Sequence, residues 1–102
     1  MKVAFICGPY RSSTIHGVVQ NIRQAESYAI KYWKNGYAVI CPHMNTALLD
    51  GLCEDKVWLD GVQELLKRSD VIVCIPGWKR SSGSLAEFTL AVDLEKEIIE
   101  EI

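Results

Sequence analysis

The sequence is short of proline and histidine and has no excess of charge of either sign. Its 102 residues hold three prolines and two histidines, with 11 Lys plus Arg against 13 Asp plus Glu, a formal charge of −2. So even a balance excludes a general binder of nucleic-acid polymers or of anionic membranes, since both need a basic footprint. No apolar run approaches the roughly 20 residues of a spanning helix. The opening MKVAFICGPY is too short for a secretion signal with its cleavage site. The expectation is a cytoplasmic protein with no membrane partner. Cys7, Cys41, Cys53 and Cys74 are spaced by 34, 12 and 21 positions with no C-x-x-C pair, which argues against a zinc or thioredoxin-like site. No metal and no cofactor is expected. Three of these cysteines end apolar runs, as small reduced residues at strand ends do.

What is present is ordinary for a globular domain: 49% apolar and 24% charged residues, enough for one domain over residues 1–102. Each proline follows an apolar run. Val3 to Cys7 stops at Gly8-Pro9, Tyr37 to Cys41 at Pro42, and Val71 to Ile75 at Pro76-Gly77. Continuous apolar runs of this length read as strands buried on both faces. Between them the spacing changes to that of helices. Arg11 to Gly17 reads as a loop. Val18, Ile22, Ala25, Ala29 and Tyr32 then mark one helix face, which ends at Asn35-Gly36. His43 to Asp55 reads as a long loop. Lys56 to Arg68 reads as a helix with Trp58, Val62, Leu65 and Leu66 inward, and Ser84 to about Glu95 as one with Leu85, Phe88, Ala91 and Val92 inward. Trp33 and Trp58 are assigned to helix packing. Glu97 to Ile102 supplies an edge strand. The alternation predicts a three-layer, flavodoxin- or Rossmann-like α/β fold, its mainly parallel sheet having four strands, five at most, with helices on both faces.

In open parallel sheets, ligands bind outside the carboxyl ends of the strands. Those ends lead into GPYRSS, CPHMNT and PGWKRSSGS. The candidate ligand-binding residues are therefore Gly8, Pro9, Arg11, His43, Asn45, Trp78, Ser81, Ser82, Gly83 and Ser84. The turn Ser81 to Ser84 before a helix offers backbone N–H groups to an anion. It equally suits a capping box, with Ser84 as cap and Glu87 three residues on. His43 and Asn45 either cap the next segment or bind a base or sugar. Trp78 either stacks on a base or covers its loop.

Several of these pieces coincide in order with one family. FICGPYR, NIRQAESYAIKYWKNGYAVICPHMNTALLDG and ELLKRSDVIVCIPGWKRSSGSLAE together resemble the nucleoside 2-deoxyribosyltransferase-like superfamily, closest to its small phage and bacterial members. The resemblance implies chemistry at the N-glycosidic bond of a nucleoside or nucleotide. The glutamate of its G-S/T-x-x-E motif, which falls on Glu87, attacks the anomeric carbon and forms a covalent glycosyl intermediate. It also implies a phosphate site near Ser81 and Gly83, with Gly8 and Arg11 beside them, and a homodimer or larger assembly in which a second chain closes the site.

Two positions depart from the pattern. Val62 stands where the family usually has an aspartate, and Phe5 stands where some members have a tyrosine. Asp60 and Tyr10 are the nearest candidates for those catalytic roles, although two residues along a helix turn by about 200°. Two alternatives follow: a non-catalytic module that sequesters a nucleotide, and a nucleoside-monophosphate phosphoribohydrolase. The relatives of the latter carry PGG-x-G-T-x-x-E, against PGWKRSSGSLAE here. Leu48, Leu49 and Leu52 either form the interface with a second copy or cap the core.

Overall fold

The computed structural model describes residues 1–102. Strands β1 (Val3–Cys7), β2 (Ala38–Ile40), β3 (Val71–Cys74) and β4 (Glu97–Glu100) form one sheet in the order β2-β1-β3-β4. Every pairing is parallel. The helices are α1 (Ile15–Lys34), α2 (Pro42–Asn45), α3 (Asp55–Lys67) and α4 (Ser82–Asp93).

Alternate side chains of a strand face opposite sides of the sheet, and the two cores divide accordingly. Ala4, Ile6, Val71 and Val73 pack under Ala25, Ala29 and Tyr32 of α1. Phe5, Cys7, Ile72 and Cys74 pack under Leu66 of α3 and Ala91 of α4. The three-layer expectation holds, with four strands and no fifth. No helix is long and apolar enough to cross a membrane.

Several boundaries differ from those expected. Helix α1 begins at Ile15, because the Thr14 hydroxyl accepts from the Gly17 amide at 2.9 Å. Gly17 thus lies in its first turn rather than in a loop. The stretch after Pro42 contains the short helix α2, which Pro42 starts from its first position. In α4, Phe88 and Ala91 face inward as expected, but Leu85 and Val92 are exposed and Ser84 is buried in their place. Trp33 is exposed at the end of α1 and packs into neither core.

Candidate active site

A cleft of about 800 Å³ opens over the carboxyl ends of β1 and β3, between α3 and the start of α4. Its floor is the loop after β1. There Gly8 runs so close to β3 that a Cβ would sit 2.3 Å from Ile75 Cγ1, so only glycine allows this approach. His43, buried in α2, fixes the same loop: its Nε2 lies 3.0 Å from the Gly8 carbonyl and 3.2 Å from that of Pro9. Both partners are acceptors, so Nε2 carries the proton. Burial lowers the His43 pKa and keeps the ring neutral at pH 7. The Asn21 amide donates to the Tyr10 carbonyl at 2.9 Å and ties the loop to α1.

The second wall is the turn after β3. Gly77 takes φ +93°, a left-handed conformation suited to glycine. The chain then makes a short 3-10 turn at Trp78–Arg80. Trp78 is 7% exposed. Its ring packs on Phe88 with centroids 4.6 Å apart, and its Nε1 donates to Glu100 at 3.0 Å. It therefore supports the turn from below and offers no face to the cleft, so the stacking expectation is corrected.

Helix α4 is capped by Ser81, whose hydroxyl accepts from the Ser84 amide at 3.2 Å. The expected cap at Ser84 is therefore wrong by three residues. The Leu85 amide bonds the Ser81 carbonyl, leaving the amides of Ser82 and Gly83 without a partner in the chain. Ser84 turns inward, 2% exposed, and its hydroxyl has no partner. One turn further along the helix, Glu87 lines the back of the cleft. Burial raises its pKa from 4.5 to about 7, and the Cys7 thiol beside it moderates the rise. That thiol donates to the Ser84 carbonyl at 3.4 Å. Contact with Cys74, then burial, pushes the Cys7 pKa well above its usual value, so it is an inert thiol rather than a nucleophile.

The rim is held by two bonds across the cleft mouth. The Tyr10 hydroxyl donates to Asp50 at 2.7 Å and accepts from the Leu48 amide at 3.0 Å. Arg11 pairs with Asp55 at 2.9 Å. Arg80 lines the cleft and makes no ion pair. The α3 side presents Trp58, Leu59, Val62 and Gln63. The Trp58 Nε1 is buried without a partner.

The cleft thus gathers Gly8, Pro9, Tyr10, Arg11, His43, Ser81, Ser82, Gly83, Ser84 and Glu87. It does not include Asn45, exposed at the end of α2, or Asp60, which pairs with Lys56 on the outer face of α3. The helical turn between positions 60 and 62 keeps that carboxylate away. Trp58, Asp50 and Asp55 line the cleft but were not expected to. Trp58 lies one turn before Val62, and this spacing was the only available signal that the two share a face.

The chain belongs to the family described as Domain of unknown function (DUF4406), which matches residues 5–100. No curated protein matches it. Among solved structures it is similar to a 2-desoxiribosyltransferase from Leishmania mexicana, at a TM-score of 0.72 and 13% identity, over 98% of this chain and 63% of that one. At that identity the likeness is one of fold. This chain spans less than two thirds of the neighbour's length.

Proposed function

We propose that this protein cleaves or transfers at the N-glycosidic bond of a nucleoside or nucleotide, with Glu87 as nucleophile. The observation that carries this is the position of Glu87: a partly buried carboxylate lining a polar cleft, one turn inside the N-terminal end of α4. A desolvated carboxylate is a stronger nucleophile. A Glu87 oxygen bonds the anomeric carbon as the carbon–nitrogen bond breaks and its electron pair leaves with the base. Water or a second base then displaces the carboxylate. The free Ser82 and Gly83 amides and the unpaired Arg80 suit a 5′-phosphate. The name of the fold neighbour, a deoxyribosyltransferase, agrees with this chemistry.

The same reading includes a second copy of the chain that covers the open mouth beside the exposed Leu48 and Leu52.

Glu87→Gln is expected to lose turnover by roughly 10³-fold or more while binding is kept, since the carboxylate makes the bond that defines the reaction. Release of free base by mass spectrometry measures it. Equal turnover in both proteins rejects the nucleophile. Ligand recovered intact from the wild-type protein after denaturation would instead mark a sequestering module.

A further inference from the structure

Within one chain, the groups able to give a proton inside the cleft are few, and each is already engaged. The Tyr10 hydroxyl is spent on Asp50. His43 holds its proton on the Gly8 and Pro9 carbonyls and is neutral. Asp55 pairs with Arg11. The Cys7 thiol is buried and donates to the Ser84 carbonyl. The wall formed by Trp58, Leu59, Val62 and Gln63 has no carboxyl and no imidazole. Serine hydroxyls, the indole N–H and guanidinium groups hold their protons too tightly to act at neutral pH. Glu87 is committed to the anomeric carbon.

A neutral purine or pyrimidine leaves its sugar as an anion unless it is protonated as it goes. Without a positioned acid, that departure is slower by about 10²–10⁴-fold. A base whose glycosidic ring nitrogen already carries a positive charge needs no proton. The bond's electron pair returns to that nitrogen, and the ring leaves neutral.

We propose, resting on the glycosidic reading above, that the substrates of this cleft are cationic N-glycosides: nucleosides or nucleotides of pyridinium or N-alkylpurinium type. Glu87 Oε bonds the anomeric carbon as the carbon–nitrogen bond breaks, and the carboxylate's negative charge and the ring's positive charge disappear together. Water then attacks that carbon, the ester bond's pair returns to Glu87, and the water's proton passes to solvent. A further feature of the cleft suits such a ring. Trp58 lines the cleft, and an indole ring is a π-surface for a cation.

The test is a matched panel with the wild-type chain. Nicotinamide mononucleotide, nicotinamide riboside and 7-methylguanosine are set against adenosine, guanosine, uridine and their 5′-monophosphates, with base release scored after subtraction of the uncatalysed rate. The expected result is kcat/KM at least about 100-fold higher for the cationic members. Their kcat/KM should also rise with pH to a plateau, as for one essential carboxylate. For nicotinamide riboside and mononucleotide, whose rings carry no titrating proton, a fall on the alkaline side would reveal an essential acid and overturn the proposal. So would neutral nucleosides cleaved as fast as their cationic counterparts, which leaves Glu87 chemistry standing. No base released from any member overturns this proposal and the glycosidic reading together.

Discussion

Glu87 joins stability to chemistry at a single atom pair. Its carboxyl titrates near 4.5 in the unfolded chain and at about 7 in the folded one. The native state therefore binds more protons than the unfolded state between these values, and stability falls as pH rises through that window. Below pH 4.5 no penalty applies; above pH 7 it is complete, at about 3 kcal/mol. Glu87→Gln should raise the urea midpoint clearly at pH 8 and hardly at pH 4. A pH-independent effect would show that the carboxyl is not buried. Gly8 sets a second limit at this scale. Gly8→Ala drives a methyl into Ile75 and is expected to destabilise by about 1–3 kcal/mol, the usual range for overpacking. Chemical denaturation measures it, and an unchanged midpoint would mean that the loop can move away from β3. Glu87 was readable from its motif. The cap was not, because Ser81, Ser82 and Ser84 are equivalent in local chemistry. The choice of Ser81 follows from Ser84 being needed inside the fold.

Elements decide which side chains reach the cleft. The three strand-ending prolines and the helical periodicities located β1 to β3 and the three long helices well. They did not locate α2, whose few residues cannot show a period, nor did they orient α4. That helix has little contrast between its faces, so Leu85 and Val92 looked as suitable for burial as Phe88 and Ala91, and Ser84 did not. Trp78 belongs to the same scale. It stands on the turn between β3 and α4, and it joins Phe88 of the helix to Glu100 of β4. Trp78→Ala is expected to cost about 3–5 kcal/mol, as for a buried aromatic, and so to lower the melting temperature sharply. A loss of ligand affinity with unchanged melting would restore the stacking role that the buried ring denies it.

The whole molecule sets access. The cleft sits where connections from β1 and β3 run to opposite faces of the sheet, the switch point at which such folds bind ligands. Its mouth is crossed by the contacts of Tyr10 with Asp50 and Leu48 and by the Arg11–Asp55 pair. Beside it Leu48 is 59% and Leu52 73% exposed, so these leucines do not cap the core. If a second copy supplies the cover, the protein sediments as a dimer or larger, and Leu48→Glu with Leu52→Glu shifts it to monomer and lowers kcat/KM together. A wild-type monomer with full activity would refute this.

The sequence by itself determined the layers, the parallel sheet, the edge at which the cleft lies and the carboxylate in it. These follow from periodicity, strand-ending prolines and topology, all of which are local or nearly so. Tertiary structure alone decided that Trp78 faces the core, that Trp58 and Val62 face the cleft, that His43 is spent on a loop and that Asp60 points to solvent. Each of those depends on which face of a helix or turn is packed against its neighbour. A rotation of 100° per residue separates a cleft-facing position from a solvated one, and only packing fixes that angle.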